Sequence, residues 1–155
     1  MSEGVAPRPV RAGRVRSAHA DDAGHLVKRG GILNAALAGA VARLGHTDRV
    51  LVCDSGMPLR RGAEIVDLAF LPGIPSFETV LDGLLSELVV EGATAAEEVR
   101  AANPACDALL RARLPGPAYV PHERLKELGR AAELVVRTGE ARPYANVILR
   151  CGVPF

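Results

Sequence analysis

His46 and Asp54 stand near the two ends of the densest polar stretch in the chain, GHTDRVLVCDSGMP, from Gly45 to Pro58. An imidazole titrates close to neutrality, so it can both give and take a proton, and a carboxylate beside it can orient the ring or accept a hydroxyl. The pattern predicts His46 just beyond a helix C-terminus and Asp54 at a strand terminus. Both then leave rigid elements for connecting segments, a layout suited to acid-base work. The same placement has a plain structural reading, in which His46 complements the negative end of a helix dipole and Asp54 binds loop amides. His122 follows Pro121 at a helix start, as a ligand contact or as an ordinary surface histidine. Tyr144, Ala145 and Asn146 offer a hydroxyl and an amide beside a strand, groups that donate and accept hydrogen bonds as a sugar or a simple turn requires. Glu97 and Glu98 follow a strand at a helix start, where carboxylates are usually solvated and favoured by the dipole.

Other chemistries find no support in the sequence. It contains no G-x-G-x-x-G, P-loop, H-E-x-x-H or nucleophile-elbow pattern, and its four histidines are too scattered for a recognisable metal set, so neither cofactor nor metal is expected. Three cysteines, Cys53, Cys106 and Cys151, without C-x-x-C spacing argue against a disulfide framework and a zinc cage, and point to a reducing, cytoplasmic setting. The absence of Trp and 3% aromatic content leave no stacking platform for polysaccharide or single-stranded nucleic acid.

These residues need a scaffold, and 155 residues with 48% hydrophobic and 24% charged content suffice for one soluble domain. Net charge is +1. Residues 1–30 carry six Lys/Arg against three Asp/Glu, which leaves thirteen against fifteen for the body. A body so close to neutral does not read as a nucleic-acid binder. No apolar run reaches the ~18 residues of a membrane span, and the head lacks the apolar region of a signal peptide. The segment 1–29 mixes Pro, Gly, Ala and Arg without period and is expected to be a mobile basic extension, with residues 30–155 forming a single domain.

Within that domain Asn34 caps a helix whose stripe is Leu37, Val41 and Leu44, with Gly45 expected as the left-handed residue that ends it. Arg49 to Cys53 reads as a strand buried on both faces, and Ile65 to Leu71 as a second. Ser76 caps a helix through Phe77, Val80, Leu81, Leu84 and Leu85, the strongest period in the chain. A strand over Leu88 to Ala93 follows, then a helix opened by Asn103 and Pro104 that runs through Leu109, Leu110 and Leu114. Ala118 to Val120 is a strand stub. The segment from His122 reads as a helix through Leu125, Leu128, Ala132 and Val135 closed by Gly139, with Leu134 to Val136 as a strand the alternative. Asn146 to Leu149 is the final strand. Alternating helices and strands predict an α/β layered domain, its central sheet largely parallel or mixed and flanked by helices. Ligands in such folds gather beyond the carboxyl ends of strands.

GILNAALAGAVARLGHTDRVLVCDSGMP, followed by PGIPSF and closed by RPYANVILRCGVPF, resembles the D-ribose pyranase family from about Gly30 to Phe155. Related L-fucose mutarotases usually carry G-H-G-D where this chain has Gly45-His46-Thr47-Asp48, and a different residue at Cys53. The resemblance implies that His46 is the proton donor and that Asp54, His122, Tyr144, Ala145 and Asn146 lie at the sugar. It implies a cofactor-free cytoplasmic isomerase that interconverts the pyranose and furanose rings of D-ribose. It further implies ring-shaped homo-oligomers, commonly decamers, with ligand clefts where neighbours meet. Arg60-Arg61 and the basic head depart from the family pattern. A fucose-type mutarotase and a non-catalytic sugar-binding module are the alternatives.

Overall fold

The computed structural model describes residues 28–59 and 62–155. Most of the basic head, with His19 and His25, lies outside the described residues, as do Arg60 and Arg61. Eleven elements follow in chain order: α1 (Ala35–Arg43), β1 (Arg49–Cys53), β2 (Glu64–Asp67), α2 (Phe77–Leu85), β3 (Val90–Ala96), α3 (Val99–Ala102), α4 (Pro104–Arg113), β4 (Ala118–Val120), α5 (His122–Gly129), β5 (Leu134–Arg137) and β6 (Val147–Cys151). The strands form one six-stranded sheet in the order β2-β5-β1-β6-β3-β4. β2, β5 and β1 run parallel, as do β3 and β4, while β6 is antiparallel to both its neighbours. This is the mixed α/β sheet expected from the alternation of elements.

Side-chain alternation along the strands divides the core into two layers. Val50 and Val52 of β1, Leu134 and Val136 of β5, and Val147 and Leu149 of β6 face the helices α1 to α4, where Leu37, Phe77, Leu81, Leu84 and Leu110 are buried. Leu51, Cys53, Val135 and Ile148 face the other way and pack with Leu125 of α5 and with Ala132. Burying a side chain the size of leucine contributes about 1.5–3 kcal/mol, so the two layers bind helices to both faces of the sheet. Among the described residues no helix is long and apolar enough to cross a membrane.

The helix starts follow their caps. Asn34 Oδ1 accepts the Leu37 amide at 2.9 Å, Ser76 Oγ accepts that of Thr79 at 3.1 Å, and Asn103 Oδ1 accepts that of Cys106 at 3.3 Å. Several boundaries differ from the sequence reading. α1 ends on an extended Leu44 rather than on a left-handed Gly45, and the left-handed residue is Thr47, at φ 72°. The helix from His122 stops at Gly129. Leu134 to Val136 form a strand, because these residues bury on both faces between β1 and β2 and pair with each. Gly139 therefore closes no helix. A Cβ there would lie 2.2 Å from the Ile74 carbonyl oxygen, so its lack of a side chain lets the Leu71 to Pro75 turn close over the end of β5. β2 stops at Asp67 rather than running to Leu71, and β3 starts at Val90 because the Leu88 amide still bonds back to Leu84 at the end of α2. β6 begins at Val147, which leaves Asn146 in the preceding turn. The short α3 has no counterpart in the sequence reading.

Candidate active site

With all strands but β6 running the same way, the segments after β1, β3, β4 and β5 and the one before β6 emerge at a single edge of the sheet. They supply Asp54, Glu98, His122, Glu140 to Arg142, and Tyr144 to Asn146 respectively. A cleft of about 440 Å³ opens there, lined by Asp54, His122, Lys126, Glu140, Tyr144 and Asn146 among others. That size falls within the range of small-molecule sites.

Asp54 and Asn146 make a reciprocal pair across the cleft floor. The Asp54 amide donates to Asn146 Oδ1 at 3.0 Å, and Asn146 Nδ2 donates back to Asp54 Oδ2 at 2.9 Å. Asp54 Oδ1 also accepts the Gly56 amide at 3.0 Å, so the loop-amide reading holds as well. Each carboxylate oxygen keeps a lone pair for a ligand hydroxyl. Asn146 is fully buried, and Ala145 beside it is buried as well. Tyr144 takes a left-handed conformation at φ 58°, which costs a non-glycine residue about 1–2 kcal/mol. Such strain gathers where a side chain must be aimed. Its ring meets that of His122 edge-on, with centroids 5.0 Å apart.

His122 is held from behind. Both oxygens of Glu98 accept its backbone amide at 3.0 Å, and that bond holds the Glu98 carboxyl below the usual range. His122 Nδ1 is buried with no hydrogen-bond partner among the described residues. A buried polar atom left unmatched is costly, and a partner supplied from the cleft would satisfy it. The sequence reading treated Glu98 as a solvated carboxylate; its contact with His122 depends on β3 lying beside β4. Glu140 was missed altogether. It is buried, accepts the amides of Ala141 and Arg142 and the guanidinium of Arg142, and through its carbonyl receives both Ser55 N and Ser55 Oγ at 2.9 Å. The Arg142 pairing pushes its carboxyl down to about 2. Lys126, one turn after His122 on α5, was missed too; the helical stripe marks only its apolar neighbours.

His46 does not join this group. It precedes β1, whereas Asp54 follows it, and the five residues of β1 extend about 16 Å. The two residues that sequence placed in one polar stretch thus sit at opposite edges of the sheet. His46 Nε2 lies 3.3 Å from Glu91 Oε2 at the start of β3, and its ring is half exposed. Thr47, beside it, shares with Tyr144 the left-handed backbone found at no other non-glycine residue among those described. This is the position where the sequence reading contrasted Thr with Gly, and glycine would adopt it without strain.

The profile of the RbsD/FucU transport protein family matches residues 27–154. The chain belongs to this family. Its relatives include D-ribose pyranase of Streptomyces coelicolor, 67% identical over 129 residues that make up 83% of this chain and 100% of that protein. D-ribose pyranase 1 of Rubrobacter xylanophilus is 65% identical with the same coverage. The structure of Bacillus subtilis RbsD complexed with D-ribose superposes with a TM-score of 0.79 at 41% identity, covering 83% of this chain and 99% of that one. FucU from Bifidobacterium longum, 24% identical with a TM-score of 0.64 over 77% of this chain and 94% of its own, shares the fold.

Proposed function

We propose that this protein is a D-ribose pyranase, an isomerase that interconverts the pyranose and furanose forms of D-ribose. The observation that carries the reading is the polar cleft itself, with the half-buried Asp54 paired to the buried Asn146 at its floor and His122 and Tyr144 on its walls, in a chain 67% identical to a protein of that name. An adjoining cavity of about 340 Å³, lined by Leu51, Met57 and Val135 and by Glu123, Lys126, Glu127 and Arg130, contains none of Asp54, His122, Tyr144 and Asn146.

Opening the pyranose breaks the C1–O5 bond. O5 takes a proton, the anomeric hydroxyl loses one, and C1 becomes the aldehyde carbon. Reclosure by O4 on C1 forms the furanose, with the O4 proton lost and the carbonyl oxygen protonated. Positioned proton carriers suffice for both steps, each contributing about 10²–10⁴-fold. His46 is the donor to O5. Asp54 accepts from a sugar hydroxyl, and His122, Tyr144 and Asn146 hold the others. Because β1 separates His46 from its own cleft, the donor comes from a neighbouring copy, whose His46 edge docks against this cleft. Such a head-to-tail contact closes into a ring, and the decamer is the form to test by light scattering. The three unpaired thiols fit work in the cytoplasm.

Saturation-transfer NMR on ribose tests the assignment. The protein accelerates exchange between ribopyranose and ribofuranose signals, and His46→Ala abolishes that exchange while calorimetric ribose binding persists. Unchanged exchange in His46→Ala would discard the donor. Faster anomer exchange of fucose without effect on ribose would point to a mutarotase, and binding without acceleration of either sugar to a carrier module.

A further inference from the structure

The edge of the sheet that carries His46 is built around one carboxylate. Glu91 sits at the register irregularity between Val90 and Gly92 near the start of β3, beside Arg150 of antiparallel β6, which pairs with Gly92. Arg150 Nε forms an ion pair with Glu91 Oε1 at 3.1 Å, and the other oxygen, Oε2, lies 3.3 Å from His46 Nε2. One glycine packs tightly against this arrangement: a Cβ on Gly152 would stand 3.3 Å from Glu91 Cβ, whereas one on Gly92 would make only ordinary contact with Arg150 Nε at 3.4 Å. Backbone bonds fix the frame: the Gly152 amide donates to Val89 O at 2.8 Å and the Thr47 amide to Cys151 O at 2.9 Å. The strained Thr47 thus ties the histidine loop to the strand that carries Arg150.

We propose that Glu91, clamped by Arg150, is the positioning residue for His46, the donor of the reading given above, on which this inference rests. An ionised carboxylate only accepts, so the imidazole nitrogen that faces it carries hydrogen. Nε2–H is thereby committed to Glu91, and Nδ1 is the nitrogen turned towards the neighbouring cleft. In the protonated ring Nδ1–H passes its hydrogen to the sugar ring oxygen while Nε2–H stays on Glu91. Arg150 occupies the second carboxylate oxygen and leaves Glu91 a single direction in which to receive the imidazole.

The test compares Glu91→Ala, Glu91→Gln, Arg150→Met and His46→Gln in the full-length protein. Hydrogen-bonded groups that orient an imidazole typically matter about 10–100-fold, so Glu91→Ala is expected to lower kcat for ring exchange by that factor with KM for ribose within about twofold. Glu91→Gln, which keeps an acceptor oxygen, recovers part of the rate. In nitrogen-15 NMR, the neutral His46 ring, assigned by its loss in His46→Gln, is the Nε2–H tautomer in the parent and a mixture in Glu91→Ala. Wild-type kcat in Glu91→Ala, or an unchanged tautomer, overturns the proposal. If Glu91→Ala fails to fold, Arg150→Met decides: a reduced kcat at constant KM supports the clamp and a wild-type kcat overturns it. Exchange that survives in His46→Gln refutes the donor reading itself. Exchange lost there but intact in Glu91→Ala refutes only the positioning role.

Discussion

Replacing Asn146 with alanine tests the floor of the cleft. The variant removes the neutral bond from the Asp54 amide and the charge-assisted bond to the Asp54 carboxylate. A neutral bond contributes about 1 kcal/mol and one to a charged group about 1.5–3 kcal/mol, so the loss is about 2–4 kcal/mol. For a chain of this size that lowers the melting temperature by roughly 5–15 °C. Asp54 would also lose its aim. Ribose affinity should fall at least about tenfold, which corresponds to about 1.4 kcal/mol, and by more than turnover at saturating sugar. Differential scanning fluorimetry gives the first quantity, and calorimetry with saturation-transfer NMR gives the second. A variant that melts within 2 °C of the parent (~0.5 kcal/mol) and binds ribose equally well would refute the role assigned to the pair. Loss of turnover at unchanged affinity would refute the assignment of Asn146 to binding.

Glu140 makes stability depend on acid. Its folded carboxyl sits at about 2 against an ordinary 4.5, a difference worth about 3 kcal/mol. A depressed folded-state value means that this stability is fully present above pH ~4.5 and is lost as pH falls towards 2. Glu140→Gln should therefore be less stable than the parent at pH 7, and the gap should narrow by pH 3 in urea titrations; a gap of equal size at both pH values contradicts the Arg142 pairing. The thiols give an independent check. Burial pushes Cys53 and Cys106 up to about 12 and raises Cys151 as well, so none should react with an aromatic disulfide at pH 8 until the protein is unfolded. Rapid labelling of the native protein would contradict the buried core.

Elements with a single reading in the sequence are present in the order read, with the bounds of β2, β3 and β6 shifted by one to four residues. The stripe of α2 and the caps Asn34, Ser76 and Asn103 are local signals, and no distant contact competes with them. Leu134 to Val136 had two readings because a short apolar run carries no period of its own, and sheet pairing on both sides settled it. Thr47 shows the limit of local preference: the loop demands a left-handed residue, and the tertiary frame imposes it on a β-branched side chain rather than on the nearby Gly45. The site was legible as residue types but not as an arrangement. Asp54, His122, Tyr144 and Asn146 come together because four connections share one edge, while His46, close to Asp54 in sequence, is carried to the far edge by the strand between them. Glu98, Glu140 and Glu91 look like surface acids in a linear reading, since their partners lie at the start of α5, in the turn that follows and in the loop before β1 respectively.

The length of β1 has a genetic consequence under the proposed head-to-tail arrangement. A copy lacking the His46 imidazole still has an intact cleft, and a copy with a damaged Asn146 still has an intact imidazole. Mixed in equal amounts before assembly, one version without the donor and one that binds sugar poorly would regenerate about a quarter of the junctions whole, so a lesion at either edge of the sheet could be complemented by a lesion at the other.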